Sequence, residues 1–184
     1  MTELSLHILD IVQNSTKAGA TLVEIEVCEN IAENILSIVI NDNGCGMDEE
    51  FLKDVMSPFR TTRTTRKVGL GLSLLKNACL QTGGDLEISS EVGIGTKVKA
   101  TFVYDSIDRQ PLGDIASTMT VLIGGNDQID YVYTHEYNGE KFVFSTSDIR
   151  AVLGSEVPLR EPDILQWIEG YINEQTKNLY GGAM

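Results

Sequence analysis

Cysteine is scarce in this chain of 184 residues: Cys28, Cys45 and Cys79 are all there is. Three scattered cysteines form no metal cage, no iron–sulfur pattern and no disulfide framework. One or two buried thiols and one in a loop are expected. Long apolar runs are lacking too, for none approaches the roughly 18 residues that suggest a membrane span. The N-terminus, MTELSLHILD, has no basic stretch ahead of an apolar one and does not read as a signal peptide. Together these absences predict a reducing, cytoplasmic setting. Positive charge is also short. Fourteen Lys and Arg stand against 27 Asp and Glu, a net charge of −13, and such a balance repels nucleic acid and anionic membranes. Neither is expected as a partner.

One stretch reverses that balance. Between Val55 and Gly84 there is no Asp or Glu, while Arg60, Arg63, Arg66, Lys67 and Lys76 fall inside it. An acidic protein with one positive segment either meets an anion there or docks a partner. What remains is ordinary: 42% hydrophobic, 22% charged and a mean hydropathy of −0.04, the profile of a soluble globular protein.

Apolar residues at helical spacing (Leu4, Ile8, Ile11) predict a helix over about 3–18 that Gly19 ends. Its opposite stripe, Glu3, His7, Asp10, Asn14 and Lys17, lies within roughly 80° of arc. Alternation predicts a hairpin of Thr21 to Glu29 and Asn34 to Asp42. The loop DNGCGMD follows, with Asp48 placed to cap a helix ending near Met56. Residues 57–68 have no period and read as a loop. A helix over Leu72 to Thr82 and strands Asp85 to Ser90 and Thr96 to Tyr104 complete an α/β sandwich, helices on one face of a mainly antiparallel sheet. A boundary is expected near Asp105 to Pro111. Beyond it the pattern predicts a helix (Leu112 to Ile123), a hairpin (Asp130 to Tyr137, Glu140 to Ser145) turning at Asn138-Gly139, and helices over 146–153 and 162–178. This tail carries 13 acidic and 5 basic residues, against 14 and 9 in the first 104.

Four elements carry chemistry, each weak alone. Asp10 and Asn14 share a helix face and are hard oxygen ligands suited to magnesium, although a solvated polar stripe looks the same. Asp42-Asn43-Gly44-Cys45-Gly46-Met47 puts a carboxylate and two glycines at a strand end, as an amino-group acceptor beside a close-approach loop or as a tight turn. Lys67-Val68-Gly69-Leu70-Gly71-Leu72 opens a helix, where free N–H groups and the positive helix end suit phosphate. Gly93-Ile94-Gly95-Thr96 precedes the last strand of the first half, the place of a hairpin turn. Their order and spacing together are far more specific than any one.

The set resembles the GHKL superfamily of gyrase B, heat-shock chaperones, histidine kinases and the mismatch-repair protein MutL, with its Bergerat ATP-binding fold. DIVQNSTKAGA matches the helix motif, NDNGCGMD the first glycine box, SPFRTTRTTRKV the lid, GLGLSLL the second glycine box and GIGTKV the closing strand. The resemblance covers roughly residues 3–104. It implies an α+β fold, with residues 1–104 as the ATP-binding domain (lid about 57–68) and 105–184 as a small C-terminal α/β extension for partner docking. It further implies ATP and Mg2+ as cofactors. By position, Asn14 would bind the magnesium and Asp42 would accept from the adenine amino group. Gly44, Gly46 and Met47 would shape the adenine pocket, with Thr96 in support. Gly69, Leu70 and Gly71 would meet the phosphates through N–H groups, and Lys17 matches a lysine that reaches phosphate in histidine kinases. Phe59 matches the lid phenylalanine, and Arg63 or Arg66 would reach the γ-phosphate. The whole chain, with DRQPLGD in its tail, is also similar to small stand-alone histidine kinase-like ATP-binding proteins of anaerobic bacteria, often encoded near iron hydrogenase subunits. No residue here shows a redox role.

Two departures bear on the reaction. Where the hydrolysing members carry a Glu general base and many histidine kinases an Asn, this chain has Asp10, a shorter carboxylate placed to orient water or to take a proton from a hydroxyl. The upstream helices that bear a phosphoacceptor histidine are absent from the sequence, so a complete sensor kinase is not expected. His7 is expected as a polar contact beside the site and His135 as an ordinary strand residue. The leading reading is a kinase-like protein that passes the γ-phosphoryl group to a separate protein. The alternative is an ATP-binding or ATP-hydrolysing switch that acts on a partner without phosphorylating it. A third, a partner-binding module without nucleotide, sits badly with intact glycine boxes.

Overall fold

Among the described residues six strands, each turning mainly apolar side chains inward at alternate positions, dictate the architecture, seen in a computed structural model that describes residues 1–56 and 70–181. Helix α1 (Leu4–Lys17) leads into the hairpin β1 (Leu22–Asn30) and β2 (Ile35–Asp42). Then come α2 (Glu49–Met56), α3 (Gly71–Gln81), β3 (Asp85–Glu91) and β4 (Gly95–Val103). The second half supplies α4 (Ile115–Gly125), β5 (Asp130–Tyr137), β6 (Glu140–Ser145), α5 (Thr146–Leu153) and α6 (Pro162–Leu179). One sheet takes all six strands in the order β3-β4-β2-β1-β5-β6. Every neighbouring pair is antiparallel except β1 with β5, where Leu22 to Glu29 run beside Asp130 to Tyr137. This is the expected α+β arrangement. The tail strands continue the sheet of the first 104 residues without a break.

The inward residues (Val23, Ile25 and Val27 of β1, Ile38 and Ile40 of β2, Tyr131 and Tyr133 of β5) form one core with α1, α3, α4 and α6. Burying a side chain of this size contributes roughly 1.5–3 kcal/mol, so the core fixes which way every strand faces. The other face of the sheet is left open.

Helix α4 starts three residues later than the apolar pattern suggests. Gly113 takes a positive φ of 81°, and Asp114 caps the helix by accepting from the Ser117 N–H at 2.8 Å. The segment before it straps the start of α1, which has no side-chain cap. The Leu4 and Ser5 N–H groups donate instead to the carbonyls of Pro111 and Leu112, at 2.9 and 2.8 Å.

His135 is more than a strand residue. It is fully buried and its Nε2 lies 2.8 Å from Glu29 Oε1, with Tyr133 Oη 2.9 Å from Nδ1. The Tyr180 hydroxyl, at the end of α6, also donates to Glu29. Burial alone would raise the Glu29 pKa, but the bonds from His135 and Tyr180 outweigh it and hold the carboxyl below its ordinary range. The network ties strands β1 and β5 to the final helix.

Candidate functional site

A cavity of 410 Å³ opens between α1 and the ends of β2 and β4. Asn14 and Lys17 reach it from α1, Asp42 from β2 and Thr96 from β4; Ile11, Ile40, Leu72 and Val98 form apolar walls. Met47 and Phe51 close one side, from the loop after β2 and from α2. An apolar slot with a few convergent polar groups is the usual form of a small-molecule site.

Asp42 is held from two sides. The hydroxyl of Ser15, itself 3% exposed, donates to Oδ2 at 2.6 Å, and the Gly44 N–H donates to Oδ1 at 2.9 Å. Both bonds fix the orientation of the carboxylate beside the cavity, where it can act as an acceptor. The loop fits only because its glycines are bare. A Cβ on Gly46 would stand 2.0 Å from the Glu91 carbonyl oxygen, and φ there is +69°. On Gly44 a Cβ would meet Ala18 Cβ at 2.9 Å. Beside them the Met47 N–H donates to Ser90 Oγ (2.8 Å), which donates to the Gly95 carbonyl (3.0 Å). Thr96 Oγ1, 2.8 Å from Ser90 Oγ, is then the donor of that pair and keeps its lone pairs for the cavity.

The other end is built from α1 and the start of α3. Among the described residues no side chain caps α3, and no acidic residue occupies its first turn, an arrangement that suits an anion at its leading N–H groups. Gly71 is buried there, while Leu70 is 73% exposed. The Asp10 carboxylate lies directly against Gly71: a Cβ on the glycine would fall 1.6 Å from Asp10 Oδ2. Asp10, Asn14 and Lys17 follow one another along one face of α1. The Asn14 amide lines the cavity and has no hydrogen-bond partner among the described residues. A free amide oxygen suits a magnesium ion that takes its other ligands from phosphate and water. Among the described residues no group of three or more His, Cys, Asp or Glu side chains is placed to hold a metal by itself.

The structure therefore brings Asn14, Lys17, Asp42, Gly46, Met47 and Thr96 to one cavity, with Gly44 bonded to Asp42 and Asp10 beside Gly71. Phe59, Arg63, Arg66 and the rest of the lid, and Gly69 of the second glycine box, lie outside the described residues. His7 does not line the cavity. It is 2% exposed under the strap, with Nε2 3.0 Å from Gln110 Oε1, and burial lowers its pKa despite that bond. Ser15, Phe51 and Cys45 line the cavity without having been expected there. Ser15 follows Asn14 directly on α1, but only its contact with Asp42 reveals its part. Cys45 is the exposed loop thiol, Cys28 is half-buried, and burial pushes the Cys79 thiol up to about 12.

A protein-family model described as histidine kinase-, DNA gyrase B- and HSP90-like ATPase matches residues 2–106, more than half of the chain. The tetrathionate sensor histidine kinase TtrS of Salmonella typhimurium is 36% identical over 113 residues, which are 59% of this chain and 18% of that protein. The chain thus spans less than a fifth of the length of this curated relative. Two solved structures share the fold. The N-terminal domain of a DNA repair protein superposes with a TM-score of 0.56 at 18% identity, covering 84% of this chain and 58% of that one. The topoisomerase IV ATP-binding domain of Francisella tularensis gives 0.50 at 19%, covering 78% and 87%. No described helix is long and apolar enough to cross a membrane.

Proposed function

The chain belongs to the family of histidine kinase-, DNA gyrase B- and HSP90-like ATPases, and from that premise we propose that it is a cytoplasmic Mg-ATP-dependent kinase-like protein, transferring the γ-phosphoryl group of ATP to a separate regulatory protein. The observation that carries this reading is the row Asp10, Asn14, Lys17 on α1, set against the uncapped start of α3. In it Asp42 accepts from the adenine amino group, its orientation held by Ser15 and the Gly44 N–H. The apolar walls take the faces of the base, and Gly46, Met47 and Thr96 complete the pocket. Asn14 would hold the magnesium, which would offset the charge of the phosphates when bound. Lys17 and the N–H groups at Gly69, Leu70 and Gly71 balance the remaining negative charge. Phe59 and Arg63 or Arg66 belong to the lid in this assignment.

Asp10 is then the proton acceptor. An acceptor side chain attacks the γ-phosphorus, its proton passes to the Asp10 carboxylate, and the bond to the β-phosphate oxygen breaks to leave ADP. Residues 105–184 serve to dock the partner, next to the 1–104 nucleotide-binding unit. A second reading rests on the same carboxylate. With water in place of the acceptor, Asp10 would support slow hydrolysis, and the protein would signal nucleotide occupancy without phosphorylating its partner.

Incubation with γ-labelled ATP and magnesium, with and without a cell extract, separates the two. Label transferred to a protein supports the kinase. Free labelled phosphate alone supports the switch, and no affinity for ATP refutes both.

A further inference from the structure

The sheet keeps one face open, and its charges are laid out in strips. On that face β2 presents Ile35, Ser37, Val39 and Asn41. To one side β1 presents Glu24 and Glu26; to the other β4 presents Lys97 and Lys99. The register aligns them in rows: Glu24, Asn41 and Lys97 in one, Glu26, Val39 and Lys99 in the next. That these side chains share a face is seen in two contacts, Asn41 Nδ2 donating to Glu24 Oε2 at 2.8 Å and Lys99 Nζ lying 4.0 Å from Glu87. An acidic strip and a basic strip flank a less polar one at equal distance.

We propose that this open face is the interface of a homodimer, two copies packing sheet to sheet about a two-fold axis along β2. Such an axis exchanges the strips. It lays β4 of one copy over β1 of the other, with Lys97 facing the second copy's Glu24 and Lys99 facing its Glu26, each contact made twice as an isologous interface requires. Aligned sheets pack about 10 Å apart, a gap that extended Lys and Glu side chains bridge from both sides. The five strands that overlap about this axis, at ~4.8 Å spacing with about eight residues of ~3.3 Å rise, cover on the order of 600 Å² per copy, at the lower end of the ~600–1,000 Å² per partner of a specific interface. Ile35, 40% exposed on the axis strand, gains cover as well.

The existing Lys99–Glu87 pair joins exposed groups and yields readily to a new partner. Two outer rows oppose the arrangement, with Glu136 facing Asp85 and Asp130 facing Glu91 of the second copy, although Asp130 already pairs with Arg150. The two Lys–Glu rows lie nearer the axis than these, and their main effect is to select this register over others.

The test uses two charge reversals of the full chain. Lys97→Glu with Lys99→Glu sets Glu against Glu in a homodimer, and Glu24→Lys with Glu26→Lys sets Lys against Lys. A 1:1 mixture of the two variants restores every opposite-charge contact, and the mixed pair carries the same total charge as two native copies. Sedimentation equilibrium is expected to show a native dimer, each variant weakened by about 100-fold, and recovery of the dimer in the mixture. Circular dichroism confirms that both variants are folded. A native protein that is monomeric up to 100-fold above the standard loading overturns the proposal. So does a dimer that survives either reversal, or a mixture that stays monomeric.

Discussion

Asp10 and Gly71 are in direct contact: the carboxylate fills the space that any side chain at residue 71 would need. The proposed proton acceptor and the proposed phosphate-binding helix start are therefore set by each other. Gly71→Ala is expected to leave the fold intact, since Asp10 is half-exposed and its side chain can turn away. Turnover should fall by about 100-fold, the scale of a 1 Å misplacement at a reacting centre. Single-turnover kinetics beside a thermal melt checks both halves.

Asp10→Asn keeps the shape and removes the basic carboxylate. ATP affinity by calorimetry should stay within about threefold, while turnover drops by ~10²-fold or more. Unchanged turnover would remove Asp10 from the mechanism.

Asn14→Ala should abolish the difference between ATP affinity measured with magnesium and with a chelator. If that difference persists, the ion is held elsewhere.

Ser15→Ala removes the 2.6 Å bond to Asp42 and leaves the Gly44 N–H as its remaining anchor. A loss of about 1 kcal/mol, roughly fivefold in Kd, is expected for ATP and for adenosine alike. A loss confined to ATP would show that Ser15 acts on the phosphates.

Helix α1, both hairpins of the first half and the helices that follow were legible in the sequence, because apolar period and turn residues are local signals. The tail was legible in the same way, β5 and β6 ending where Asn138-Gly139 forces the turn with both φ positive. What could not be read was contact between distant segments. His135 lies 106 residues from Glu29 and 45 from Tyr180, so neither its burial nor its partners leave a local trace. The Ser15 hydroxyl, 27 residues from Asp42, escaped for that reason. Motif order singled out Asn14, Asp42 and Thr96, which share one cavity; the proximity of Asp10 to Gly71 needed the packing of α1 on α3.

Acid stability offers a check on the buried network. The pKa values of both Glu29 and His7 are lowered in the folded protein, so in each case the unfolded chain binds more protons and stability rises with pH. The His7 contribution is full above its ordinary value of 6.5 and fades below it; that of Glu29 is full above 4.5 and is lost as pH falls through its lower folded value. Glu29→Gln should cost about 1–3 kcal/mol at pH 7 and flatten the dependence below pH 4.5, leaving the His7 contribution below pH 6.5 in place. Urea melts across pH 3.5 to 8 would show it.

The parallel seam between β1 and β5 has a consequence for dissection of the chain. If the molecule were cut at residue 104, the stretch from Leu22 to Glu29, which shares a ladder with Asp130 to Tyr137, would become a raw border of unpaired amides and carbonyls. Such a border recruits other strands. The fragment holding every residue proposed to contact the nucleotide would thus be the one most prone to clump, and the acidic tail is what keeps that border sealed.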